Sequence, residues 1–150
     1  MNPLVDQHLL RLRILCGAFI VSTAMYGAIV FLIPPPQSAV LAQGEHLLWI
    51  FGLVAAVNIV TLMPVYRAMM ARPRRVFAVG RELAPLLSAH FACHAIAHAR
   101  LEAVAVLGLV LFFITGRGDW FWIFNGTAIV GMLLLWPLRE KVEALQNPAV

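Results

Sequence analysis

Glu102 is the residue that most invites a chemical reading, because it stands at the start of an uncharged apolar run covering 103–115. A carboxylate in hydrocarbon is costly. Such groups are rare there, usually paired, and often lie on ion or proton routes. Counted along a helix from Ile96, Glu102 sits roughly 9 Å below the inner surface. The chemistry it offers is reversible proton binding. Ser22, Asn58 and Thr61 fall at comparable depth in other apolar runs, and would hydrogen-bond the carboxyl if those faces meet. The competing reading keeps Glu102 near the interface as half of a structural ion pair with Arg67 or Arg139.

His90, His94 and His98 form a second constellation, with Cys93 beside them. A spacing of four puts the three imidazoles on one helical stripe. Histidines at i and i+4 can chelate a transition metal, and a stripe of them can pass protons. The same step continues from His98 to Glu102, so the stripe points toward the carboxyl. A metal site needs further ligands, and of the remaining histidines His8 falls on the same side. Haem held between two helices needs a facing histidine, whereas His46 is predicted at the opposite surface. Interfacial packing, without metal or proton traffic, is the third reading of the stripe. On balance no bound cofactor is expected.

The elements that must position these residues follow from composition. The chain has 150 residues, 62% apolar and 12% charged. Soluble domains average about 25% charged residues, so this outer surface suits lipid rather than water. One domain accounts for the length. No phosphate-binding glycine loop, nucleophile triad or zinc-protease motif is present, and an enzyme is not expected. Cys16 and Cys93 lack metal or CxxC spacing and read as small apolar residues.

A helix of about 20 residues crosses the hydrocarbon core. Four spans are predicted, at about 14–33, 47–66, 96–115 and 120–138. The first is read as a retained anchor stopped by Pro34, Pro35 and Pro36, and the second carries a kink at Pro64. The third has a clean apolar part too short to cross and must reach back through Glu102 and Arg100. Between the second and third lies a connector over 72–95, where Val76, Val79, Leu83, Leu87 and Phe91 recur at helical spacing. It either lies along the membrane surface or extends the third helix, with breaks or bends at Gly80 and Pro85. Asn125 and Thr127 read as interhelical hydrogen-bond partners.

Placing both termini in the cytoplasm leaves Arg117 as the one cation outside, with the other ten of the 11 Lys and Arg residues inside. That is a strong positive-inside bias. Basic residues sit at the ends of apolar runs rather than on one polar face, which argues against nucleic acid. Trp49, Trp120 and Trp122 are assigned to the outer interface, and Tyr66 and Trp136 to the inner one.

The run Glu102-Ala103-Val104-Ala105-Val106-Leu107-Gly108-Leu109-Val110 resembles the proton-carrying helix of subunit c of rotary ATP synthases, which reads Glu-Ala-Leu-x-Ile-Tyr-Gly-Leu-Val. Ala71-Arg72-Pro73 is similar to that family's polar-loop Arg-x-Pro signature. The likeness covers the second and third spans and implies that Glu102 matches the proton-binding carboxylate. The chain departs from the family in lacking a glycine-repeat helix over 47–66, in its longer loop, and in carrying His98 and Arg100 at apolar positions.

The sequence therefore predicts an all-α membrane protein of four transmembrane helices in two hairpins, with a cytoplasmic amphipathic connector. It reads as a small non-enzymatic, proteolipid-like protein of the bacterial inner membrane. Its expected partners are the lipid bilayer and either further copies of itself or other membrane-complex subunits. The second functional reading is a metal- or haem-associated accessory subunit of a redox complex, using His90, His94 and His98.

Overall fold

A chain this apolar has few ways to satisfy its backbone. In lipid every N–H and C=O must be bonded within the protein, which helices achieve segment by segment. The structure, a computed structural model, describes residues 3–34 and 41–145, without the side chains of 41–44. The described residues form α1 (Pro3–Leu32), α2 (Leu41–Val60), α3 (Leu62–Gly80), α4 (Leu83–Thr115), α5 (Gly118–Leu134) and α6 (Arg139–Ala144). Among the described residues three stretches are long and apolar enough to cross a membrane: Pro3–Leu32, Glu45–Gly80 and Leu83–Thr115. At 17 residues, α5 lies at the short limit for crossing about 30 Å of hydrocarbon.

The breaks have local causes. Pro64 has no N–H to give the carbonyl of Val60, and the chain turns at Thr61 between α2 and α3. The neighbouring bonds survive, Thr61 N–H to Val57 O at 3.0 Å and Val65 N–H to Thr61 O at 3.0 Å, so the two helices continue as one bent rod. At the far end Arg81 adopts a left-handed backbone (φ 56°) and its N–H closes on Phe77 O. Gly116 (φ 72°) ends α4 in the same way. Trp136 leaves the helical region because Pro137 follows it, so the fourth run is helical to Leu134 rather than 138. Pro35 and Pro36, expected to stop the first span, lie outside the described residues.

Lengths decide what the connector is. The 36 residues of Glu45–Gly80 would extend about 54 Å and the 33 of α4 about 50 Å, well beyond the bilayer core. Residues 72–95 are therefore not a separate surface helix. They are the two arms of a hairpin that prolongs the second and third spans and folds back at Arg81 and Glu82. Residues 83–95 run on into the predicted third span as one helix, whereas residues 72–80 form the end of α3. Gly80 marks the break, whereas Pro85 falls in the first turn of α4, where its missing N–H costs nothing.

α4 is the central helix. It packs against α1, α2, α3 and α5, while α1 also touches α5 and α6. The start of α1 meets α6 through Val5, Leu9, Leu12 and Val142, and Arg139 bonds Asp6 at 2.9 Å. By contrast Glu45–Gly80 is the least buried of the three membrane-length stretches, and its α2 part presents Trp49, Ile50, Leu53, Val57 and Val60 outward.

The α4–α5 hairpin owes its closeness to Gly108. A Cβ there would lie 2.6 Å from Phe124 Cβ and 3.3 Å from the Phe121 carbonyl, whereas Gly126 has open space around it. Gly108→Ala should destabilise the protein by about 1–3 kcal/mol through overpacking, and Gly126→Ala should be near neutral. Thermal melts of both variants in one detergent check this; equal melting temperatures would contradict the close packing.

Candidate functional site

The polar residues of α4 meet those of α1 at three levels. Buried positions on α1 include His8, Leu12, Cys16, Thr23, Gly27 and Val30, a single stripe turned toward the bundle. On α4 the buried stripe runs through His90, His94, Ala97, His98, Leu101 and Ala105. Both helices rise in the same direction, so contacts climb from His8 with His90 to Tyr26 with Glu102.

At the lowest level His8 Nε2 and His90 Nδ1 are 3.0 Å apart, one donating and the other accepting. The His90 ring stands 4.6 Å from His94, and Tyr66 of α3 presents its edge to both imidazoles, at 6.3 and 5.8 Å. These rings line a cavity of about 320 Å³, shared with Arg74, Trp136 and Lys141. Tyr66 and Trp136, assigned from sequence to the inner membrane interface, thus form its walls.

One turn higher, Cys16 joins His94 and His98, with ligand atoms of all three within 4.8 Å of one another. His98 is fully buried. Its Nδ1 lies 2.9 Å from the carbonyl of His94; since a carbonyl can only accept, Nδ1 carries the proton and Nε2 is bare. Among the described residues that Nε2 has no hydrogen-bond partner, nor does Nδ1 of His94. The stripe predicted from sequence is therefore divided: His90 turns to His8, while His94 and His98 share Cys16.

Highest on the stripe is half-buried Glu102. Its Oε1 accepts hydrogen bonds from Ser22 Oγ at 2.6 Å and Tyr26 Oη at 2.9 Å. Ser22 thus meets Glu102 as the matched depths suggest. Asn58 and Thr61 do not. Arg100 donates to Asn58 Oδ1 at 3.2 Å and to Thr61 Oγ1. Two residues along a helix is about 200° of rotation, so Arg100 faces α2 and α3 while Glu102 faces α1. Nor does Glu102 pair with Arg67 or Arg139. Arg139 is held by Asp6 and Glu143, and among the described residues no ion pair includes Glu102.

Two other expectations resolve differently. Thr127 bonds its own helix at Ile123 O, 2.7 Å away, and does not cross to a neighbour. Asn125 is buried, and among the described residues its Oδ1 has no hydrogen-bond partner.

Sequence reasoning missed Tyr26 and Cys16. Tyr26 lies four residues after Ser22 and so on the same face, a signal that was available. On sequence alone Cys16 reads as apolar packing. The signal for it was positional: His8, Cys16 and Thr23 are polar members of one otherwise apolar buried stripe.

Comparisons with family models, curated proteins and solved structures gave no match.

The His8–His90 contact predicts energetic coupling across α1 and α4. A double-mutant cycle with His8→Phe and His90→Phe should return an interaction of about 0.5–1.5 kcal/mol in thermal or denaturant unfolding. Strict additivity would mean that the two rings are neighbours without a bond.

Proposed function

We propose that this chain is a small non-enzymatic membrane protein, proteolipid-like in its third span, working as an oligomer or as a subunit of a membrane assembly, with Glu102 as its proton-binding group. The observation that carries the reading is the clasp of Ser22 and Tyr26 on a carboxyl that has no cationic partner among the described residues. An arginine partner would hold only the charged form. Hydroxyls donate to a carboxylate and accept from a carboxylic acid, so this clasp serves either protonation state without moving a helix. An intramembrane carboxyl is by default a functional candidate.

Supporting this are the resemblance of the run 102–110 to the subunit c helix, and the outward apolar face of α2, which suits lipid or a neighbouring subunit. In this reading α5 is the fourth crossing, both termini face the cytoplasm of a bacterial inner membrane, and Arg117 lies outside. The α3–α4 hairpin then projects into the cytoplasm, carrying Arg72, Arg74, Arg75 and Arg81 with it, as the positive-inside bias favours. Cysteines introduced at Arg81 and Arg117 should react with impermeant reagents from opposite faces of the membrane.

The central test is proton flux in liposomes. The protein as it stands should carry protons down an imposed gradient, Glu102→Gln should lose most of that flux, and Ser22→Ala with Tyr26→Phe should fall between. Undiminished flux in Glu102→Gln would sink the proton role. Native mass spectrometry of gently extracted protein checks the assembly: a lone, partnerless chain would contradict it.

A further inference from the structure

We propose that Cys16, His94 and His98 form a buried three-ligand site for a soft monovalent transition cation, Cu(I). This assignment is independent of the role given to Glu102.

The geometry supplies what a metal site needs. Two imidazoles one turn apart on α4 and a thiol from α1 place their ligand atoms within 4.8 Å of one another, so small side-chain rotations bring all three onto one ion. The sulfur and the two rings are buried, at 0% exposure for Cys16 and His98 and 7% for His94. His98 is prepared as a ligand. Its Nδ1–H is committed to the His94 carbonyl, which fixes the tautomer and leaves the lone pair of Nε2 free. Nδ1 of His94 is likewise unsatisfied among the described residues. Buried polar atoms are seldom left without a partner, because each costs about 1–3 kcal/mol. The two such atoms belong to the two rings that stand beside the buried thiol, and one shared ligand would satisfy both.

Charge selects the ion. Binding exchanges the ion's solution ligands for one sulfur and two imidazole nitrogens and releases the thiol proton to water; no electron moves. Cu(I) with one thiolate and two neutral imidazoles is electrically neutral and can stay three-coordinate. Zn(II) in the same cage would leave a net positive charge in an apolar interior, which is expensive. It would also want a fourth ligand. Thiolate suits cuprous ion, and imidazole suits copper generally. Access is consistent with this choice. His94 also lines the 320 Å³ cavity, whose wall includes Arg74 and Lys141. Two cations there oppose a divalent ion about twice as strongly as a monovalent one.

The experiment uses the full chain in detergent, titrated anaerobically with Cu(I) against a chromophoric cuprous chelator. About one ion per chain should be retained. X-ray absorption at the copper edge should show sulfur and nitrogen in the first shell, a readout that needs no variant. Cys16→Ser and His98→Gln should each weaken binding at least about tenfold, whereas Cys93→Ser and Glu102→Gln should bind as the parent does. The last control separates this site from the proton-binding group, since either can fail alone. Failure to hold Cu(I) against the chelator, a first shell without sulfur, or unchanged affinity in Cys16→Ser would overturn the site. Zn(II) displacing Cu(I) from the parent protein would overturn the charge argument that assigns the monovalent ion.

Discussion

The pairing of α1 with α4 is the constraint on which the rest of the molecule depends. α4 touches α1, α2, α3 and α5, and it carries His90, His94, His98, Arg100 and Glu102. In a medium without water, polar groups on a central helix must find partners on its neighbours or go unsatisfied. α1 supplies hydrogen-bond partners at two levels, His8 for His90 and Ser22 with Tyr26 for Glu102, and between them sets Cys16 beside His94 and His98, whose respective Nδ1 and Nε2 have no hydrogen-bond partner among the described residues. Sliding α1 by one turn would break all three levels at once. Apolar packing alone permits many registers between two Leu- and Ala-rich helices, so this polar ladder specifies one.

Arg100 shows the same logic on the other face. Asn58 and Thr61 first saturate their own helix, with Asn58 Nδ2 on Val54 O at 3.0 Å and Thr61 Oγ1 on Val57 O at 2.6 Å. Their oxygens remain to accept from the guanidinium, and the bend that Pro64 imposes brings the Thr61 carbonyl within 3.5 Å as well. A cation in the span is thus held by neutral dipoles. Glu102, turned away by the helical twist, is left to hydroxyls. Arg100 and Glu102, two residues apart, therefore do not pair with each other.

The helical class and the membrane-length segments were legible because length and hydropathy carry that signal directly. The stripe of histidines was legible for the same periodic reason. The hairpin over 72–95 was only half visible. Helical spacing through Val76, Val79, Leu83, Leu87 and Phe91 continues across the break at Gly80, so periodicity alone cannot say that the chain reverses there. Partner choice was least legible. Depth matched Asn58 and Thr61 to Glu102, but depth ignores azimuth, and 200° of rotation sends them to Arg100 instead. Cys16 was hidden because thiols are commonly apolar filler, and only the facing stripe of α4 changes that meaning.

Metal and carboxyl levels share one pair of helices, so their independence needs a physical reason. Phe19 of α1 lies against His98, ring centroids 5.8 Å apart, and Leu101 and Ala105 close the same face of α4. No hydrogen bond among the described residues links His98 to Glu102; its one bonded nitrogen faces back to the carbonyl of His94. What crosses the gap is field alone. A neutral cuprous thiolate exerts little at that range, whereas a site with net positive charge would act on a carboxylate about one helical turn away through a poorly screening medium. The charge balance that favours Cu(I) at Cys16, His94 and His98 would therefore also leave the field at Glu102 almost unchanged.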